Sequence, residues 1–181
     1  MVGVTLTDLP NHPVPALDAS VDLVVLEYGV NEGFDDTLDT AAYERLLRNE
    51  IGRLKAEAPQ AALLILGAPE ALRSEGGGNC PDDGEARWRS PTMLAVVRDI
   101  QQRVSASTGV AYWDWHGRMG GDCSAFRLAR PGPNGEEPMM RGDHVHFTQA
   151  GADWIGSLLF ADLMTAGREW YRQRRLYREG R

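Results

Sequence analysis

Asp22-Leu23-Val24-Val25-Leu26-Glu27-Tyr28-Gly29 is the segment on which our fold assignment of this 181-residue chain rests. Its unbroken apolar run is typical of a parallel strand that is covered on both faces. Similar short apolar runs occupy residues 61–67 and 110–115. A stretch with apolar residues at helical spacing follows each of the three runs. This alternation predicts an α/β fold, a three-layer α/β/α sandwich with a parallel sheet in the middle.

The beginnings of the three helices are marked by residues that commonly cap helices. We expect Thr40 to cap a helix that runs to about Ala58. Ser90, with Pro91 in the first helical position, is predicted to begin the second helix. Thr148 is predicted to cap the third, which follows the last irregular stretch of the chain.

Composition limits the classes of function. The hydrophobic content of 43% is enough for one domain with a single core. The net charge of −7 argues against a nucleic-acid partner, which requires clustered cationic residues. No apolar run is long enough to span a membrane, and the first residues show no signal-peptide pattern. Two cysteines, Cys80 and Cys123, allow one disulfide or none.

The strongest chemical signal is Asp143-His144-Val145-His146. A carboxylate three residues before an imidazole can hold the ring in one tautomer and stabilise it once protonated, as a general base requires. His146 is preferred to His144, because adjacent side chains such as those of Asp143 and His144 point apart. The alternatives are a polar surface loop and part of a metal site.

A metal site here would need Asp143, His144 and His146 to converge, with His116 or Cys123 as a further ligand. The sequence has no histidine pair with the helical spacing of zinc enzymes. We therefore expect neither a metal nor another cofactor.

A second signal follows the first strand, at Gly29-Val30-Asn31-Glu32. Open α/β sheets bind ligands at the carboxyl ends of their strands, and the Asn31 amide can donate to a developing oxyanion. The alternative is an ordinary tight turn. In a parallel sheet, this segment and the Asp143–His146 segment should meet at the same edge.

Two further segments carry weaker signals. Gly76-Gly77-Gly78-Asn79-Cys80 lacks the spacing and the lysine of a phosphate-binding loop, and we interpret it as a polar, mobile loop. Residues 168–181 are basic with interleaved aromatic residues. We predict a solvated helical extension in which Trp170 and Tyr171 pack against the body; the alternative is contact with an anionic surface or nucleic acid.

The two motifs resemble conserved blocks of the SGNH (GDSL) hydrolases. The matching residues are Gly29-x-Asn31-Glu32 after a buried strand and Asp143-x-x-His146-Phe147-Thr148 before the last helix. The stretch from Tyr112 to Ser124 is similar to a branch of the family with bacterial esterases that remove O-acetyl groups from peptidoglycan or related polysaccharides. The resemblance covers roughly residues 21–164.

This resemblance implies a flavodoxin-like SGNH hydrolase fold and a serine esterase acting on a small-molecule or polysaccharide ester. Asn31 would contribute to the oxyanion hole, with Gly29 supporting its turn. His146 and Asp143 would complete a triad with a serine. Such an enzyme would work in the periplasm or outside the cell, where Cys80 and Cys123 could pair.

The family's Gly-Asp-Ser motif does not occur in this sequence. Its second-block glycine has only a weak counterpart, Gly3. We expect residues 1–167 to form a single SGNH-like domain that is N-terminally incomplete and lacks the family's first strand. Other accounts are a substitute serine, for which Ser124 is preferred to Ser20 or Ser90, and an inactive carbohydrate-binding relative. An O-acyltransferase is a further alternative, and the oligomeric state is not predicted.

Overall fold

The computed structural model describes residues 4–11, 17, 20–74, 78, 80 and 87–179. A 3-10 helix at Leu6–Asn11 comes first among the described elements. The strands are β1 (Leu23–Leu26), β2 (Ala62–Leu66), β3 (Arg73–Ser74), β4 (Trp88–Arg89) and β5 (Ala111–Trp113). The helices are α1 (Val30–Gly33), α2 (Thr40–Glu57), α3 (Thr92–Thr108), α4 (Trp115–Met119), α5 (Ser124–Leu128) and α6 (Gln149–Glu179).

The main sheet has the strand order β1-β2-β5, and both strand pairs are parallel. Alternate residues of β2 point to opposite faces and enter two separate cores. Leu63 and Ile65 pack in a core formed with α2 and α3, whereas Leu64 and Leu66 pack in a core formed with α4 and α6. Helices therefore cover both faces of a parallel sheet, and the predicted α/β/α fold is confirmed.

Strand β1 is less well covered than its sequence predicted. Leu23 and Val25 are each 43% exposed. Within the described part of the chain, β1 pairs only with β2, so its other edge carries no strand. The prediction that both faces of this strand are buried was therefore wrong, because nothing described covers the face that carries Leu23 and Val25.

The helix starts differ slightly from the predicted ones. The Asp39 carboxylate, not Thr40, caps α2 by accepting from the backbone N–H of Ala42 at 2.9 Å. Ser90 does not cap α3, because its hydroxyl donates to the Glu70 carboxylate and Pro91 takes the cap position. The Thr148 cap is confirmed.

Strands β3 and β4 form a short antiparallel pair, and the predicted loop at residues 76–80 lies between them in the chain. Residues 76, 77 and 79 lie outside the described residues, so the mobility of this loop stays a prediction. Cys80 is buried and forms a disulfide with Cys123, with 5.5 Å between their Cα atoms. The disulfide joins the hairpin to the segment between α4 and α5.

The last helix, α6, continues without interruption to Glu179, so the boundary predicted at residue 167 falls inside it. Trp170 and Tyr171 are exposed and pack edge-on against each other, 4.9 Å between ring centroids, instead of against the body. The guanidinium of Arg174 lies 4.6 Å from the Trp170 ring centroid. No helix among the described residues is long and apolar enough to cross a membrane.

The ends of β1 and β2 are joined by the buried side chain of Gln101 on α3. Its amide nitrogen donates to the Tyr28 carbonyl at 2.6 Å, and its amide oxygen accepts from the Ala68 backbone N–H at 2.9 Å. Gly29 lies directly against this amide with φ +121°. A Cβ atom there would lie 2.7 Å from the Gln101 nitrogen and 2.8 Å from a Val97 methyl carbon. Position 29 therefore requires glycine for both its backbone conformation and its space.

We predict that Gly29→Ala lowers the free energy of unfolding by about 2–4 kcal/mol, because it combines backbone strain with overpacking. Urea unfolding followed by circular dichroism measures this change. Gly52→Ala is the matched control, since a Cβ atom at Gly52 in α2 meets nothing within 4 Å. The control should be neutral or slightly stabilising, and equal effects of the two substitutions would contradict the assignment.

The disulfide gives a second prediction. Thiol titration of the denatured, unreduced protein should find no free thiol, and reduction should release two. A cross-link with a sequence separation of 43 should contribute about 4 kcal/mol to stability through chain entropy. The double variant Cys80→Ser/Cys123→Ser should therefore unfold at a lower urea concentration than the unmodified chain. Added reductant should not change the unfolding midpoint of this variant. Two thiols in the unreduced protein would contradict the bridge.

Candidate active site

Asp143 organises the loop before α6. One carboxylate oxygen accepts from the backbone N–H groups of Val145 and His146, each at 2.9 Å. The other lies 2.9 Å from Nδ1 of His146. Burial alone would raise the pKa of Asp143, but these hydrogen bonds from the His146 and Val145 amides and the His146 ring lower it to about 2. Asp143 is therefore ionised at any pH at which an esterase works.

The pairing with Asp143 fixes the role of each ring nitrogen of His146. Because the ionised carboxylate only accepts, Nδ1 carries the proton and Nε2 is left with a lone pair. The His146 side chain is 67% exposed, so Nε2 can be reached from solvent. The arrangement suits a general base, as the sequence predicted.

The backbone on both sides of His146 is held by a short ladder. The backbone N–H of Arg141 donates to the His146 carbonyl at 2.8 Å, and that of Thr148 donates to the Met139 carbonyl at 3.0 Å. The Thr148 hydroxyl also donates to the Pro138 carbonyl at 2.7 Å. The loop is therefore fixed to the start of α6.

His144 has a different function from His146. It is a non-glycine residue with φ +58°, and its ring is buried against Trp88 and Phe126, at centroid distances of 3.9 and 5.5 Å. Burial lowers the pKa of His144 and favours the neutral ring. Its carbonyl accepts from the Leu72 backbone N–H at 3.0 Å. His144 thus anchors the loop to the segment after β2, and its ring does not face solvent.

Asn31 lies at the start of α1, directly after β1. Its amide nitrogen donates to the Val4 carbonyl at 2.8 Å. An asparagine amide has two N–H donors, so this contact leaves one for a ligand. The neighbouring Glu32 is buried and accepts from the Leu6 backbone N–H at 2.6 Å. Both contacts fasten the first described residues to the end of β1; Gly3 lies outside the described residues.

Two cavities lie beside the predicted site segments. One of about 180 Å³ is lined by Val4, Glu27, Tyr28, Gly29, Val30, Asn31, Leu66 and Pro69. The other, of about 310 Å³, is lined by Glu27, Leu66, Trp113, Trp115, Phe147, Ala152, Ile155, Gly156 and Leu159. Because Glu27 and Leu66 line both, the two cavities adjoin at the carboxyl ends of β1 and β2. No hydrogen bond among the described residues joins Asn31 to Asp143 or His146.

Glu27 was not predicted as part of the site. It follows β1 where the two cavities meet, and desolvation raises the pKa of its carboxyl. Its signal in the sequence is weak, because a single acidic residue between an apolar run and Tyr28-Gly29 is also compatible with a strand end.

Among the described residues, neither Ser124 nor Ser90 forms a hydrogen bond with His146. Ser124 is 0% exposed, and its hydroxyl has no hydrogen-bond partner among the described residues. Ser90 donates to Glu70, as described above. Burial excludes solvent and substrate from the Ser124 hydroxyl, which disfavours it as the substitute nucleophile.

The predicted set of alternative metal ligands does not converge. Cys123 is in the disulfide, the His144 ring packs between aromatic rings, and His146 pairs with Asp143. His116 lies elsewhere, next to Asp122 and the buried Glu70. Sequence analysis did not single out Glu70; its only signal was a charged residue four positions after a buried strand.

Comparison with known proteins places this geometry in a family. The model of the GDSL-like lipase/acylhydrolase family matches residues 3–154. A solved peptidoglycan O-acetylesterase structure is 30% identical with a TM-score of 0.69, over 82% of this chain and 38% of the other. The search of curated proteins gave no match.

Two further solved structures show a similar fold. A lipase/acylhydrolase from Enterococcus faecalis has 21% identity and a TM-score of 0.52, over 78% of this chain and 60% of the other. An acetylxylan esterase from Geobacillus stearothermophilus has 15% identity and a TM-score of 0.57, over 87% of this chain and 66% of the other. The chain spans less than two thirds of the length of each of these three structures. On the family match, the chain belongs to the GDSL-like lipase/acylhydrolase family of ester hydrolases.

Proposed function

We propose that this chain carries the general base, its orienting carboxylate and an oxyanion donor of a serine esterase that removes O-acetyl groups from a carbohydrate. The observation that carries the proposal is the 2.9 Å contact between Asp143 and Nδ1 of His146, which leaves Nε2 facing solvent. The likeness to a peptidoglycan O-acetylesterase supports the choice of an acetylated sugar.

In this mechanism, Nε2 of His146 accepts the proton of a serine hydroxyl while the serine oxygen attacks the ester carbonyl. The resulting imidazolium is stabilised by the ionised Asp143. His146 then gives the proton to the departing sugar oxygen, and an acetyl-enzyme remains. Water attacks this ester by the same route, releasing acetate and restoring the serine hydroxyl.

Asn31 is the proposed side-chain donor to the tetrahedral oxyanion. Its second N–H is available while the first is bonded to the Val4 carbonyl. That contact holds the amide in one orientation before substrate binds. A preorganised donor stabilises the charge without reorientation during the reaction.

We further propose that the serine comes from sequence upstream of these 181 residues. The family's Gly-Asp-Ser motif is missing from the sequence, and the preferred substitute, Ser124, is buried. Strand β1 has an open edge among the described residues, with Leu23 and Val25 partly exposed beside it. A further parallel strand at this edge would end near Glu27 and the two cavities.

The proposed substrate also suggests a compartment. Polysaccharide esters of the cell envelope lie outside the cytoplasm, and disulfides persist in such oxidising surroundings. The Cys80–Cys123 bridge is compatible with the periplasm or the cell exterior.

A fluorophosphonate that acylates activated serines tests the proposal. We expect no labelling of the 181-residue chain, and one labelled serine, mapped to the added segment, when the chain is extended with its own upstream sequence. His146→Ala should slow labelling of the extended chain by about 10² or more, because the base is lost. Intact mass and peptide mapping provide the readout.

Labelling of Ser124 in the 181-residue chain, lost in His146→Ala, would overturn the proposed origin of the serine. A folded, extended chain that neither labels nor releases acetate from acetylated sugar would overturn the esterase proposal and favour an inactive relative. Circular dichroism of each variant checks that it is folded.

We predict that Asn31→Ala in the extended, active protein lowers kcat by about 10² to 10³ with little change in KM, because the donor acts in the transition state. Asn134→Ala is the matched control, since Asn134 is exposed and bonds to Glu136 in a separate turn. Steady-state acetate release measures both. An unchanged kcat in Asn31→Ala would remove Asn31 from the oxyanion hole.

A further inference from the structure

We infer that Glu70, His116 and Asp122 form a binding site for a divalent cation of the zinc class. One donor atom from each residue lies within 4.8 Å of the other two. Glu70 follows β2, His116 belongs to α4, and Asp122 lies in the turn between α4 and α5. None of the three belongs to the catalytic set proposed above.

The spacing of the donor atoms fits a small metal ion. Nε2 of His116 is 3.1 Å from a carboxylate oxygen of Asp122 and 3.4 Å from Oε2 of Glu70. Tetrahedral zinc, with bonds of about 2.0–2.2 Å to nitrogen and oxygen, places its ligands roughly 3.3–3.5 Å apart. Small side-chain adjustments would therefore convert the observed cluster into three zinc ligands.

The buried Glu70 carboxylate supplies independent support. Glu70 is 0% exposed. Its Oε1 accepts from the Ser90 hydroxyl and from the Cys123 backbone N–H, but its Oε2 accepts no hydrogen bond from a described residue. Leaving a buried charged oxygen without such a partner is costly. A cation bound to Oε2 would remove that cost.

Arg98 provides only part of the compensation. One guanidinium nitrogen lies 3.5 Å from Oε2 of Glu70, and that nitrogen has no hydrogen-bond partner among the described residues. A second guanidinium, that of Arg127, donates to the backbone carbonyls of Asp122 and Gly120 in the adjoining turn. Neither guanidinium donates a hydrogen bond to Oε2 of Glu70 among the described residues.

The donor set selects the type of ion. Calcium and magnesium prefer oxygen ligands, whereas an imidazole together with two carboxylates suits zinc or cobalt. The Asp122 side chain is 85% exposed and gives the ion a path from solvent. With three protein ligands, water would take the fourth position.

The ion would compete with the hydrogen bond between Nε2 of His116 and Asp122. To ligate through Nε2, His116 must carry its proton on Nδ1. Without metal, the same atoms form a contact between imidazole and carboxylates. Binding experiments separate these two states directly.

A bound ion would strengthen the frame around the catalytic loop. It would tie the turn that carries Cys123 to the segment after β2, where the Leu72 N–H donates to the His144 carbonyl. Its effect on the loop would be indirect, since no ligand contacts Asp143 or His146 through a hydrogen bond among the described residues. The site would thus have a structural role.

Zinc titration of the chelator-treated 181-residue chain by calorimetry tests this inference. We expect one zinc ion per chain, with affinity at least about tenfold weaker in His116→Ala and in the exposed Asp122→Asn. Added zinc should raise the Tm of the unmodified chain and not that of His116→Ala. His146→Ala is the matched control and should bind zinc as the unmodified chain does.

Cobalt absorption gives a readout that does not depend on activity. Tetrahedral cobalt bands should form with the unmodified chain and be lost in His116→Ala. No zinc binding at 100-fold excess over protein, binding unchanged in both ligand variants, or binding lost only in His146→Ala would overturn the assignment. Glu70→Gln alone would not separate loss of zinc from loss of structure, because Glu70 also accepts hydrogen bonds from the Ser90 hydroxyl and the Cys123 backbone N–H.

Discussion

The buried amide of Gln101 is the contact on which the carboxyl edge of this sheet depends. It binds the chain immediately after β1 and immediately after β2, and its nitrogen also lies 3.2 Å from the Tyr43 hydroxyl on α2. Backbone N–H and C=O groups just beyond the end of a strand no longer pair with the neighbouring strand. Where these groups are buried, they need other hydrogen-bond partners. One side chain from α3 provides these substitutes for two strands at once. The close approach of Gln101, together with the positive φ at position 29, restricts that position to glycine.

The loop that carries Asp143 and His146 is held by one set of local contacts and by one set of distant contacts. The Asp143 carboxylate binds N–H groups two and three residues ahead, a pattern that depends only on local backbone geometry. The position of the loop on the body depends instead on His144, whose left-handed conformation costs roughly 1 kcal/mol or more. Packing of its ring against Trp88 and Phe126 offsets that cost. The Asp143–His146 motif is thus positioned on the body by His144, a residue with no proposed chemical role.

The sequence predicted features that depend on residues close together in the chain. It did not predict features that depend on contacts between residues far apart in the chain. Buried strand β2 and the Thr148 cap follow from short patterns, as does the Asp143–His146 pair. The buried contacts of Glu32 and Glu70 were missed, because their partners are 20 or more residues away and no local pattern reveals them. Gln101 offered a signal that was not used: it lies on the same helical stripe as Val97 and Val104, where a polar residue marks a buried hydrogen-bond requirement. The exposed face of β1 was also missed, since an apolar run does not reveal whether its neighbours are present.

The open edge of β1 has a consequence for handling the isolated chain. Unpaired strand edges flanked by apolar side chains are templates for pairing with a strand of another molecule. Leu23 and Val25 lie on such a strand, and Phe160, Leu163 and Met164 add exposed apolar surface on α6. We therefore expect the 181-residue chain to self-associate through such strand edges, and to do so more at higher protein concentration. Such particles would not by themselves establish a native quaternary structure.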